Sequence, residues 1–125
     1  MPALHLTTPT ELAQAHAAGE YRVSSRGATL DDVGFIHLCT RAQLPGVVSR
    51  FYPDVPGLIA LVVDLQACES AGSPVRWEPA SDAAGELFPH VYGPLPWSSI
   101  LAELPVRRDG SHIELGRSEQ DWPDL

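Results

Sequence analysis

The chain has 125 residues and a formal net charge of −8, from 16 acidic and 8 basic side chains. This length is enough for one domain with its own core, and the acidity argues against an extended nucleic-acid surface, which needs cationic contacts to phosphate. There is neither an apolar run near the roughly 20 residues of a membrane span nor a signal-peptide pattern, and two cysteines are too few for a disulfide framework. We therefore expect a cytoplasmic domain without membrane association, whose oligomeric state the sequence leaves open.

The first third of the chain predicts a strand, a helix and a weaker strand. Residues 4–6 have the pattern of a short strand. The segment TPTE at residues 8–11 is a capping box, which predicts the start of a helix that Gly19 ends. Residues 21–25 are weakly strand-like, and we interpret residues 27–32 as a loop.

A second strand and a second helix follow. Residues 35–39 predict a strand that is buried on both faces or nearly so. Thr40 is placed to cap a helix, with Gln43 completing a second capping box. Because proline inside a helix loses a hydrogen bond, either a first turn precedes Pro45 or the helix begins near Pro45 and ends near Tyr52.

The rest of the chain predicts mainly strands. We expect them at residues 58–64, 75–77, 87–92, 100–106 and 113–115. The first of these is a continuous apolar run typical of a central strand, and the second is typical of an edge strand. Two early helices followed by strands favour a single α+β domain over residues 1–116 with a twisted, mostly antiparallel sheet. Residues 117–125 form an acidic tail that we expect to be flexible.

Three histidines lie in these predicted strands. Side chains alternate across a strand, so His37 shares a face with Cys39, and His90 shares one with Tyr92. His5 lies on the first strand. If the three strands are neighbours, the three imidazoles line one cleft. The alternative for each is a buried ring that bonds to a backbone carbonyl.

Cys39 and the histidines also raise the question of a metal. Cys39 is interpreted first as a small hydrophobe, with a thiol nucleophile or a metal ligand as alternatives. Imidazole and thiolate suit zinc, but the sequence has no tight pair of ligands and no carboxylate beside them. We therefore expect no metal. Glu78 is interpreted as a solvent-facing acid that could serve the cleft.

Five short segments resemble one known family. They are GFIHLCT, FPHVYGPLP, the early LHL, AxAAGEY at residues 15–21 and RWE at residues 76–78. Together they resemble the domain of unknown function 952 family over about residues 3–106. The resemblance implies a fold similar to the ADP-ribosyltransferase superfamily, a split, twisted antiparallel sheet with a cleft for a nicotinamide dinucleotide.

Site residues follow from the likeness to the RNA 2′-phosphotransferase branch of that superfamily. Its two histidine patterns look like residues 4–8 and 35–40 of this chain. The resemblance implies that His5 would hold ribose hydroxyls and that His37 would brace the nicotinamide ribose or the phosphates. Thr7 and Thr40 complete the two patterns as cofactor-binding candidates. His90 and Tyr92 fall where other branches carry a catalytic glutamate.

The resemblance therefore implies a domain that binds NAD or a related nucleotide and transfers ADP-ribose. The candidate catalytic residues are His37, His90 and Tyr92, and the expected partner is a small nucleotide-like ligand. Two alternatives stay open. One is a non-catalytic ligand-binding or interaction module on the same fold, and the other is a metal-dependent hydrolase that uses the histidine cluster.

Overall fold

The computed structural model describes residues 2–79, 85–109 and 112–116. Within these residues lie four helices: α1 (Pro9–Ala18), α2 (Leu30–Val33), α3 (Leu44–Phe51) and α4 (Leu65–Ser70). The strands in the same residues are β1 (Pro2–Thr7), β2 (Val23–Ser25), β3 (Ala28–Thr29), β4 (Ile36–His37), β5 (Ile59–Asp64), β6 (Val75–Pro79), β7 (Leu87–Val91), β8 (Ile100–Asp109) and β9 (His112–Leu115). None of the described helices is long and apolar enough to cross a membrane.

The described strands pair antiparallel in two larger sheets and one small ribbon. One sheet has the order β1-β5-β8-β9, the other has the order β4-β7-β6, and β2 pairs with β3. A bridge between Leu4 and Cys39 joins the two sheets through reciprocal backbone hydrogen bonds of 2.7 and 2.8 Å. The prediction of a single α+β domain with a mostly antiparallel sheet is confirmed.

β5 is the central strand of the four-stranded sheet, as its unbroken apolar run predicts. Its side chains alternate between two buried clusters, because both faces of the sheet are covered. Leu61 and Val63 pack in one cluster with residues of α1 and α4, and Ala60 and Val62 pack in the other with residues of α3. The core therefore lies on both sides of β5.

Of the two predicted capping boxes, the one at residues 40–43 has both of its side-chain bonds, whereas at residues 8–11 only the bond to the Thr8 side chain forms. The Thr8 side chain accepts from the Glu11 backbone N–H at 3.2 Å at the start of α1, and the αL residue Gly19 ends that helix. Thr40 and Gln43 make reciprocal side-chain bonds to each other's backbone N–H groups, at 3.2 and 2.9 Å. That box closes a turn that precedes α3, which begins at Leu44. Pro45 therefore lies in the first turn of the helix, where a backbone N–H would have no intrahelical acceptor.

Two short helices were not predicted. Residues 27–32 contain β3 and the first part of α2 rather than only a loop, and α4 follows β5 directly. Their caps are local: Thr29 and Asp32 form a capping box, and the Asp64 side chain accepts from two backbone N–H groups of α4. Helices of four and six residues are too short for the apolar period that identifies longer ones. The predicted tail at residues 117–125 lies outside the described residues.

Candidate functional site

The site is built where β4 pairs with β7. Their register places His37 directly opposite His90, and directly opposite residues of an antiparallel pair project to the same face. The two imidazole centroids are 5.3 Å apart, with the rings 69° from parallel. Strand pairing thus brings together two of the three histidines that the sequence singles out.

Both rings line a cleft of about 690 Å³ between this sheet and α3. The described lining residues are Ser25, Arg26, Phe35, His37, Leu38, Val47, Arg50, Phe51, Tyr52, Pro79, Phe88 and His90. Phe35 lies over the histidines: its ring stacks on His90 at 4.1 Å between centroids and lies 4.8 Å from His37. Two arginines and no carboxylate belong to this described lining, although acidic side chains outnumber basic ones two to one in the whole chain.

The His37 ring is oriented by Ser24. The Ser24 hydroxyl donates to the Phe35 carbonyl at 2.5 Å, so its oxygen accepts from His37 Nδ1–H at 3.1 Å. A neutral imidazole with its proton on Nδ1 carries a lone pair on Nε2. Burial lowers the pKa of His37 and the nearby His90 lowers it further, so the ring is neutral at pH 7.

The His90 ring is oriented by a carboxylate. His90 Nδ1–H donates to Glu78 Oε1 at 2.9 Å, and the Tyr92 hydroxyl donates to the same oxygen at 2.5 Å. The bonds from Tyr92 and His90 lower the pKa of the Glu78 carboxyl, whereas the bond to Glu78 raises the pKa of Tyr92. His90 Nε2 is buried and has no hydrogen-bond partner among the residues that the structure describes.

His5 does not line the cleft, and the expectation that all three histidines do so is wrong for this one. Its ring is 1% exposed, donates from Nδ1 to the His37 carbonyl at 2.7 Å, and accepts at Nε2 from the Tyr21 hydroxyl at 2.7 Å. Burial lowers the pKa of His5 to about 4, so the ring is neutral at pH 7. His5 is a fully bonded buried imidazole that holds the backbone of His37 from behind.

The other predicted site residues lie beside the cleft rather than in its described lining. Thr7 is fully buried at the end of β1, and Thr40 is engaged in its capping box. Tyr92 reaches the site through Glu78, with the Arg76 guanidinium 5.1 Å from its ring centroid. Cys39 is 3% exposed in the core, and burial raises the pKa of its thiol to about 12, which supports the interpretation as a small hydrophobe.

Two features of the site could not be assigned from the sequence. Glu78 is interpreted from the sequence as a solvent-facing acid that could serve the cleft; its side chain is 33% exposed and accepts bonds from His90, on the neighbouring strand, and from Tyr92. The rim arginines come from a loop and from α3, and Arg26 is held by a bidentate bond to Asp54 at 2.6 and 2.9 Å. The alternation of residues 76–78 predicts that Glu78 and Arg76 share one face of a strand. Only the register of β6 against β7 shows that His90 lies on the same face. Within the described ranges, no three histidine, cysteine or acidic side chains converge as metal ligands.

The fold and the cleft define a small α+β domain with a pair of imidazoles at the centre of its candidate site. The chain belongs to the family described as "Protein of unknown function (DUF952)", whose model matches residues 6–103. This confirms the first step of the resemblance seen in the sequence. The likeness to the ADP-ribosyltransferase superfamily stays a prediction.

Solved structures share the fold. The crystal structure of protein CC0527 from Caulobacter crescentus is 23% identical over all of both chains, with a TM-score of 0.75. A crystal structure of its double mutant has a TM-score of 0.74 at 23% identity, again over all of both chains. The solution NMR structure of CC0527 has a TM-score of 0.67 at 21% identity over 96% of this chain and 95% of that one. Among curated proteins, no significant match was found.

Proposed function

We propose that this protein binds NAD or a related nucleotide in the cleft and transfers its ADP-ribosyl group. The observation that carries the proposal is the composition of the described cleft lining, in which two arginines carry positive charge, two histidines present their imidazoles, and no carboxylate is included. The whole chain has a net charge of −8, so a lining with two arginines and no carboxylate differs in charge from the rest of the chain. A concave site of that charge suits an anionic ligand.

The shape and the apolar walls of the cleft suit a nucleotide. A volume of about 690 Å³ is within the usual range of small-molecule sites, about 300–1,000 Å³. Phe35, Phe51 and Phe88 supply flat aromatic surfaces on which a base or a nicotinamide ring can stack. Arg26 and Arg50 supply guanidinium groups, whose planar fork matches phosphate oxygens.

His37 is the residue that we assign to the ribose. Its Nδ1 is occupied by Ser24, so its Nε2 lone pair can accept a hydrogen bond from a ribose hydroxyl. His5 acts only indirectly, by bonding the His37 backbone carbonyl. When bound, NAD supplies an activated ribosyl carbon whose leaving group is nicotinamide.

Binding is tested by thermal melting and calorimetry with NAD and with ADP-ribose. We expect both ligands to raise the melting temperature of the protein, and His37→Ala to abolish the shift. His112→Ala is the matched control, because His112 is an exposed histidine that does not line the cleft. Arg26→Gln should weaken binding more than Arg107→Gln, which removes the same charge from β8. No shift with either ligand at millimolar concentration would exclude the proposal.

A non-catalytic binding module on the same fold is the second candidate. It is favoured by one observation, the lack of a carboxylate in the described lining, because a carboxylate can stabilise the positive charge that develops on the ribose as nicotinamide leaves. Release of nicotinamide from NAD separates the two candidates. Binding without release would favour the module, whereas release favours transfer.

A further inference from the structure

His90 Nε2 is the one buried side-chain polar atom of the described residues for which no hydrogen-bond partner is found. The residue is 3% exposed, and its ring forms part of the cleft lining. A buried acceptor without a partner costs about 1–3 kcal/mol, so such atoms often mark a functional site. The unbonded Nε2 of His90 therefore indicates a position in the cleft lining at which a ligand group can bind.

The hydrogen bond at the other ring nitrogen, Nδ1, determines which tautomer the neutral His90 ring adopts. Because the Glu78 carboxylate only accepts, the proton of neutral His90 lies on Nδ1 and Nε2 carries the lone pair. Glu78 is itself fixed by the Tyr92 hydroxyl, which shares the oxygen that His90 binds. A carboxylate that orients an imidazole in this way also stabilises the positive charge that the ring acquires with a second proton.

We propose that His90 and Glu78 form a proton-accepting pair for the hydroxyl group that receives ADP-ribose, with Tyr92 positioning Glu78. The inference rests on the proposed function and assigns the acceptor class, a hydroxyl compound or water. The acceptor oxygen bonds to the ribosyl carbon as the bond from that carbon to the nicotinamide nitrogen breaks. Nicotinamide departs as a neutral molecule with the electron pair of the broken bond, and the hydroxyl proton passes to His90 Nε2.

His37 is not suited to the same role. Its Nδ1 donates to a serine hydroxyl, which carries no charge that would stabilise an imidazolium. Its pKa is lowered by burial and by His90, so it holds a second proton poorly. We therefore assign different roles to the two neighbouring rings. His37 binds the ribose, and His90 takes up the proton of the acceptor hydroxyl.

Glu78→Gln tests the pair, because a glutamine oxygen can still accept from His90 and Tyr92 while the charge is lost. Glu103→Gln is the matched control, since Glu103 is an exposed carboxylate on β8 outside the cleft lining. We expect Glu78→Gln to leave the affinity for NAD unchanged and to lower the rate of nicotinamide release about 10- to 100-fold. The rising limb of its pH–rate profile should move to lower pH.

A second readout needs no ligand. Nitrogen NMR of the imidazoles should find the Nδ1 tautomer of His90, with the hydrogen on Nδ1 and a lone pair on Nε2. A proton on Nε2 instead, or equal release rates and profiles in wild type and Glu78→Gln, would overturn the inference alone. If wild type binds NAD without releasing nicotinamide, transfer and the inference fall together while binding stands. If NAD does not bind to wild type, the proposed function itself fails.

Discussion

His5 and His90 are both almost fully buried, yet their surroundings differ. Both ring nitrogens of His5 are bonded, one to the His37 carbonyl and one to the Tyr21 hydroxyl. His90 has one nitrogen bonded to Glu78, and its other nitrogen has no partner in the described part of the chain. The first pattern completes a structural network. The second leaves the lone pair of one ring nitrogen unbonded, so the bonding of each nitrogen is more informative than burial.

Removal of each ring in turn should show the largest difference between the two histidines, in the free energy of unfolding. His5→Ala leaves the buried His37 carbonyl without its donor, removes the acceptor of the buried Tyr21 hydroxyl and opens a cavity, so we expect the unfolding free energy to fall by about 3–4 kcal/mol. His90→Ala should cost clearly less, because Nε2 has no bond to lose there and Glu78, whose side chain is 33% exposed, can be hydrated. Urea unfolding at pH 7 measures both. Equal losses would contradict the distinction between the two sites.

Acidification should destabilise the folded protein through the protonation of His5. Burial lowers the pKa of His5 from 6.5 to about 4, so the unfolded chain binds this proton more tightly than the folded one. The stability that the neutral ring contributes is fully present above pH 6.5 and is lost as the pH falls toward 4, at a cost of about 3 kcal/mol. The pKa of His37 is shifted in the same direction and adds to the slope.

Urea unfolding at a series of pH values between 4 and 7 measures this loss. His5→Asn cannot take up the proton, so its stability, relative to its own value at pH 7, should fall clearly less than that of the wild type. Parallel curves for the two proteins would show that the acid sensitivity does not come from His5.

Local signals account for what could be predicted from the sequence. The unbroken apolar run of β5 predicts a central strand, and the TPTE segment predicts the start of α1, because each signal lies within one element. The histidine segments predict β4 and β7 for the same reason. α2 and α4 could not be predicted in this way, since helices of four and six residues have no apolar period.

The site itself depends on which strands are neighbours. The sequence identifies His37 and His90 as strand residues, but only the register of β4 against β7 places them opposite each other. His5 lies on a strand of the same kind, yet it contacts the back of β4 rather than the cleft. Glu78 joins His90 because β6 pairs with the other edge of β7. Such pairings between distant segments carry no local signal.

A substitution at the rim of the cleft should change the affinity for NAD only slightly. Arg26 is paired with Asp54 in an exposed ion pair, so a phosphate that bound Arg26 would have to displace that carboxylate. Because exposed pairs contribute little stability, Asp54→Asn should leave folding almost unchanged and free Arg26 for the ligand. We expect NAD to bind about two- to fivefold more tightly to this variant, as measured by calorimetry.

Asp31→Asn is the matched control for the rim. Asp31 forms an equally short exposed bond to Arg22, at 2.6 Å, but neither residue lines the cleft. If both variants tighten binding alike, the gain comes from the overall charge of the protein and not from Arg26. If only Asp54→Asn does so, the phosphate contact lies at the Arg26 rim. The cationic rim and the imidazole pair would then belong to one ligand site, with His5 behind it as support.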